Sequence, residues 1–164
     1  RWSLVISDSS TPGLDASSAL RITRAQQPQV PFIVVSGSIS EASALEALGL
    51  GAIDVVHLHG TATAANDSTE AIGLGALFAG RTPPAFGTRG QTGHTLGASG
   101  VLETIVTLAV LQRGEVPANV GLEDSDVDAG LDLVRAPRRL ARARHALKVA
   151  SGFGGVQAAT VVRA

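Results

Sequence analysis

The stretch DVVHLHGTAT, residues 54–63, decides how the rest of the chain is read. An apolar run that begins at Ala52 ends inside it, and His57 and His59 stand there separated by one residue. A short apolar run bounded by glycines predicts a buried strand. Polar side chains at the C-terminal end of a parallel strand lie on the edge where open α/β sheets gather ligands. The histidines are therefore either part of a site or two polar residues at the rim of a fold.

Working outward, strands alternate with helices. On the N-terminal side, WSLVIS (2–7) reads as a strand, Thr11-Pro12-Gly13 as a turn, and 15–25 as a helix with Asp15 as N-cap. PFIVVS (31–36) is a second strand. Ser40 caps a helix to about Leu50, with Ala42, Leu45 and Leu48 along one stripe and Gly49 and Gly51 at its end. On the C-terminal side, 67–79 suits a helix begun by Asp67 or Ser68, and 84–88 a short strand. Residues 95–113 suit a helix striped by Val101, Ile105, Leu108 and Leu111, and 131–135 a strand. Two last strands, 146–151 and 157–162, flank Gly152-Phe153-Gly154-Gly155. This alternation predicts a three-layer α/β fold with a mainly parallel sheet, and residues 53–58 as an interior strand.

The bulk properties narrow the chemistry. A chain of 164 residues, 45% apolar, fits one globular domain with a real core. With 3% aromatic residues, that core is built from Ala, Val, Leu and Ile. A net charge of −1 gives no reason to expect nucleic acid. There is no Cys, which excludes disulfides, thiolate metal sites and a cysteine nucleophile within this sequence. No apolar run reaches membrane-spanning length and the first residues do not read as a signal peptide, so the cytoplasm is the default expectation. Arg1 leads straight into a strand-like run, so further chain upstream is expected.

In SDSSTPGLD (7–15), Asp8 falls at a strand end, where an Asp either caps a turn or meets a ligand. LVISDSSTPGLD, PFIVVSGS and EALGLGAIDVV, in that order over residues 3–56, resemble the second half of a response-regulator receiver domain. The resemblance implies flavodoxin-like βα units, Asp8 as phospho-acceptor and Ser36 as a contact to the phosphoryl oxygens. It also requires an acidic pair after a first strand to hold magnesium. That strand is absent, and the expected Lys falls near His57 or Leu58, so a working receiver is not expected.

HGTAT is followed by FGTRGQTGHTLGASG (86–100) and SGFGGVQ (151–157). Histidines near helix N-termini can be held neutral, and a neutral imidazole can donate to an oxyanion. From about residue 53 to the end, these motifs resemble the C-terminal half of a β-ketoacyl-acyl-carrier-protein synthase, a thiolase-like fold. The resemblance implies that His59 and His94 bind a malonyl thioester carbonyl, promote decarboxylation and stabilise the enolate. Arg89 takes the place of the family's Lys and Glu103 that of its acidic partner. Thr61, Thr63 and Thr88 match substrate-binding threonines, and Phe153 lies in a turn closing over the acyl pocket. Gln157 stands where Asn is usual. The family's nucleophilic Cys belongs to an N-terminal half that this sequence does not contain.

The expected organisation is a receiver-like βα fragment, 1–52, and a synthase-like region, 53–164, joined through a shared strand near AIDVV into one sheet. Such a splice would be a designed chimera, a natural fusion or an assembly artefact. Three functions follow. One is a truncated ketoacyl synthase for fatty-acid or polyketide synthesis, unable to condense without a Cys. The others are a non-catalytic chimeric scaffold and a receiver-like phospho-signalling module. No cofactor and no metal are expected. An acyl carrier protein is the partner implied, with the basic run 135–145 either its docking site or a solvated connection, and a homodimer is possible by resemblance.

Overall fold

The computed structural model describes residues 5–8, 16–26, 32–36, 53–123 and 130–163. The turn at 11–13, the Asp15 cap and the helix expected from Ser40 to Leu50 lie outside the described residues.

Seven strands form one sheet. They are β1 (Val5–Asp8), β2 (Phe32–Ser36), β3 (Val55–His57), β4 (Pro84–Phe86), β6 (Asp132–Leu133), β8 (His145–Ser151) and β9 (Gln157–Arg163). Their spatial order is β1-β2-β9-β8-β3-β4-β6. The pairs β1–β2, β8–β3, β3–β4 and β4–β6 are parallel, and β9 alone runs antiparallel to both its neighbours. The sheet is thus parallel-dominated, with β3 in its interior as expected. β1, β2 and β3 lie in the same sheet, but β3 does not pair with β2. β8 and β9 form a hairpin around residues 152–156 that separates β2 from β3. A second, two-stranded sheet joins β5 (Glu115–Val116) to β7 (Arg138–Arg139).

Alternation along β3 sends neighbours to opposite faces. Val56 and Leu58 pack with Leu74 of α2 (Ala64–Leu77) and Ala19 of α1 (Ala16–Gln26), while Leu147, Val149 and Val161 extend that layer. Val55, Phe86, Ala146 and Val162 pack on the other face against Val110 and Leu111 of α4 (Ser99–Arg113). A single turn of helix, α3 (Arg89–Thr92), connects β4 toward α4. Helices on both faces make the three layers.

Two helices differ from their sequence pattern. α2 begins at Ala64, three residues before the expected Asp67, because Thr63 is extended (φ −105°, ψ 134°) and takes the N-cap position. Asp67 then falls in the first turn, where the helix dipole favours a carboxylate. In α4 the first half of the expected core stripe faces outward, with Val101 66% and Ile105 57% exposed, while Leu108 is half-buried and Leu111 is buried as expected. The buried face carries Ser99, Glu103, Thr107, Val110 and Leu111. Apolarity could not choose between faces because α4 is apolar nearly all round. Glu103 and Thr107 turn inward because the sheet offers them charged and hydrogen-bonding partners. Gly114 ends the helix in the left-handed conformation at φ 62°.

Candidate active site

The two histidines of the opening stretch have different surroundings. His57 shares the face of Val55 and is fully buried, under α4. The Thr107 hydroxyl donates to the Glu103 carbonyl at 2.7 Å, which leaves its oxygen to accept from His57 Nδ1 at 2.8 Å. His57 Nε2 then accepts from the Thr88 hydroxyl at 3.2 Å. The ring also stacks, tilted, on Phe86, 4.2 Å between centroids. Burial, then Lys148, lowers its pKa to about 3, so the ring is neutral and both nitrogens are occupied. His57 is a structural histidine, and it holds Thr88.

His59 follows β3 and is 6% exposed. Arg89 Nη2 lies 2.8 Å from His59 Nδ1. A guanidinium only donates, so Nδ1 is the acceptor and the proton sits on Nε2. Burial and then Arg89 and Lys148 lower the His59 pKa to about 4. The neutrality expected from helix N-termini is present at His59, but burial and neighbouring cations cause it.

His94 stands in the loop between α3 and α4, at the surface. Its Nδ1 accepts from the Leu96 amide at 3.2 Å and lies 3.2 Å from the Ser99 hydroxyl. The proton again falls on Nε2. The two rings meet edge to face with centroids 5.8 Å apart. Two Nε2–H donors that lie 35 residues apart in sequence are thus brought to one rim of the sheet.

Backbone and charge both fix this rim. Glu70 of α2 accepts from the His59 amide at 2.6 Å and the Gly60 amide at 3.0 Å, which ties the turn after β3 to the helix. Burial pushes the Glu70 carboxyl up from its ordinary value, and these two donors oppose the shift. Arg89 Nε meets Glu103 Oε1 at 3.2 Å, and Lys148 Nζ meets Glu103 Oε2 at 2.5 Å. Asn119 ties the end of β4 to β6: its Oδ1 accepts from the Gly87 amide at 2.6 Å, and its Nδ2 donates to Ala85 and Val134 carbonyls.

A cavity of about 320 Å³ opens beside the pair, with Gly60, Thr61, Arg89 and His94 in its wall. Thr61 and Thr63 hydroxyls pair at 2.9 Å. Phe153 is 98% exposed and does not line this cavity. The GFGG turn projects from the β8–β9 hairpin and finds no apolar surface to cover among the described residues. Asp8 and Ser36 end the adjacent parallel strands β1 and β2, away from the histidines by the order of the sheet. In the basic run, Arg138 pairs with Asp132 at 2.5 Å and Arg139 with Glu115 at 3.6 Å. Gln157 is exposed. Among the described residues no helix is long and apolar enough to cross a membrane.

Three contributors to the rim were not singled out in the sequence: Glu70, Asn119 and Lys148. Lys148 had the clearest signal, a lysine inside the apolar run HALKVA. A charge there requires a buried partner.

Gly90 in α3 sets how closely the loop at Val120 approaches the cavity. A Cβ on it would lie 2.1 Å from the Val120 carbonyl oxygen, a backbone atom. Gly90→Ala is expected to cost about 1–3 kcal/mol by overpacking, read as a lower urea midpoint. An unchanged midpoint would show that the loop yields freely.

Solved structures with this arrangement of strands and helices are thiolase-like ketosynthases. A ketosynthase/chain length factor for ishigamide superposes with a TM-score of 0.68 at 26% identity, over 73% of this chain and 30% of that one. The ketosynthase ApeO, in complex with its chain length factor ApeC from Xenorhabdus doucetiae, gives 0.65 at 29% identity, over 73% and 31%. A family model described as the C-terminal domain of β-ketoacyl synthases matches residues 21–123, and the chain belongs to that family. A putative β-ketoacyl synthase of actinorhodin polyketide synthesis from Streptomyces coelicolor is 36% identical over 68% of this chain and 24% of its own length. The 3-oxoacyl-[acyl-carrier-protein] synthase 1 of Escherichia coli K12 is 34% identical over 68% and 27%. The chain therefore spans about a quarter of the length of the curated relatives it matches. The family match begins at residue 21, well inside the segment expected to be receiver-like.

Proposed function

We propose that this chain supplies the oxyanion site for decarboxylating a malonyl thioester, the half-reaction that drives β-ketoacyl condensation in fatty-acid or polyketide synthesis. The single observation that carries the reading is the facing pair His59 and His94, each with Nδ1 accepting and Nε2–H left to donate. In the proposed step the bond between the malonyl α-carbon and its carboxylate breaks and carbon dioxide leaves. The electron pair moves onto the thioester oxygen, where two Nε2–H donors meet the developing charge. The enolate then either attacks an acyl thioester, expelling a thiolate, or takes a proton from water to give an acetyl thioester. The first outcome needs a thiol-bound acyl group, and the thiol would come from outside these 164 residues.

Arg89 holds His59 in its tautomer, Glu103 holds Arg89, and Thr88 lies on the buried side at His57. Thr61 and Thr63 are placed to meet the pantetheine-like arm of a carrier protein beside Gly60. The exposed Val101, Leu102 and Ile105 of α4 and the exposed Phe153 suit burial against a further α/β layer that carries the nucleophile.

The test is carbon dioxide release from malonyl-acyl-carrier protein by the chain, compared with His59→Ala and His94→Ala. Release above background that both substitutions abolish supports the reading. No release from the unsubstituted chain overturns it in favour of a non-catalytic scaffold. A second reading, Asp8 as phospho-acceptor with Ser36, is favoured only by their places at adjacent strand ends. Labelling of Asp8 by acetyl phosphate with magnesium would establish it.

A further inference from the structure

We propose that Lys148 is a positioning residue for His59, acting through Glu103 and Arg89. The inference rests on the oxyanion reading of His59 and adds the element that sets its orientation. Lys148 lies in the centre of β8, in register with His57 on β3, and so points to the same face of the sheet. Its side chain is 3% exposed, and Nζ donates to the Val149 carbonyl at 2.9 Å. Nζ also lies 2.5 Å from Glu103 Oε2.

Glu103 is thus shared between two cations, one on each carboxylate oxygen. A carboxylate with one partner can rotate about its last torsion. A carboxylate held at both oxygens cannot, and Oε1 is left at the one place where Arg89 Nε reaches it. With Nε fixed there, the planar guanidinium places Nη2 on His59 Nδ1. The link Lys148–Glu103–Arg89–His59 is continuous, and its four side chains come from four places in the fold: β8, α4, α3 and the turn after β3. It also leaves one net positive charge beside the imidazole, which resists a proton on His59.

The groups facing His59 are Arg89 from α3, Glu103 from α4, Lys148 from β8 and His94 from the loop before α4, with Glu70 of α2 on its backbone amide. Lys148 is the one of these whose removal leaves Glu103 still neutralised by Arg89, so its substitution loosens the link without stranding a lone charge.

The experiment follows the His59 ring nitrogens by NMR through a pH titration of the chain, without substrate, in the parent and in Lys148→Met. Lys148→Gln, which keeps a donor toward the Val149 carbonyl, takes its place if the apolar variant does not fold. The expected result is a rise of the His59 midpoint from about 4 toward the ordinary histidine value of 6.5, with the Nδ1 shift moving toward that of an unbonded acceptor. The acid limb of carbon dioxide release should move up with it, so that the ratio of rates at pH 8 and pH 5 increases. A folded variant whose His59 midpoint and Nδ1 shift match the parent's overturns the proposal. Because the titration needs no turnover, failure of the decarboxylation reading is seen separately, as carbon dioxide release that does not respond to His59→Ala.

Discussion

His59→Ala is expected to lower carbon dioxide release from malonyl-acyl-carrier protein by about 10²–10³-fold, the usual loss when one donor to a developing oxyanion is removed. The magnitude follows from where the donor sits. Nε2–H of His59 is already oriented, because Nδ1 is engaged by Arg89 and the amide of the same residue by Glu70. No reorganisation is then needed when charge develops. His94→Ala should cost a comparable factor, and the double variant less than the product of the two, since both donors serve one oxygen. His59→Gln retains an N–H donor and should recover part of the loss, which separates a missing donor from a collapsed site. The rate should stay level, as far as His59 governs it, down to about pH 5, because the ring protonates only near 4. If release is above background and neither histidine substitution changes it, the pair is not the site. A ketoacyl product formed by this Cys-free chain would show that the nucleophile has been misassigned.

How much of this was legible beforehand differs from residue to residue. β3 and its interior place were readable because AIDVVHL is mostly apolar, rich in β-branched residues and set between Gly51 and Gly60. The pairing of His59 with His94 was readable only from motif resemblance, since no periodicity links residues so far apart. The inward face of α4 was not readable. An apolar stripe at Val101 and Ile105 looked like core, yet the sheet beneath required Glu103 and Thr107 as partners for Lys148, Arg89 and His57. The strand order was not readable for a related reason. Local patterns identify strands but not neighbours, and the β8–β9 hairpin enters between β2 and β3 from the far end of the chain. Phe153 was placed by resemblance alone, and the described residues give it nothing to cover.

The second large effect concerns stability in acid. In the native chain His57 is neutral, with its pKa lowered from 6.5 to about 3 by burial first and Lys148 second. Unfolded, the same ring takes up a proton near 6.5. Between these values the unfolded state binds more protons, so stability must fall as pH falls from about 6.5 toward 3, and the contribution is complete above 6.5. Each pH unit in that window costs about 1.4 kcal/mol, so His57 alone should cost about 2 kcal/mol at pH 5 relative to pH 7. His59 works in the same direction, whereas Glu70, whose carboxyl is raised by burial, works in the opposite one. The difference between the chain and His57→Gln isolates the term. Gln keeps polar atoms for Thr107 and Thr88 but has no proton to gain. Urea midpoints measured at pH 7 and pH 5 should therefore separate more widely in the parent than in the variant. Equal separations would mean that His57 is protonated in the native core, which would require the Thr88 hydroxyl to turn away and accept from Nε2.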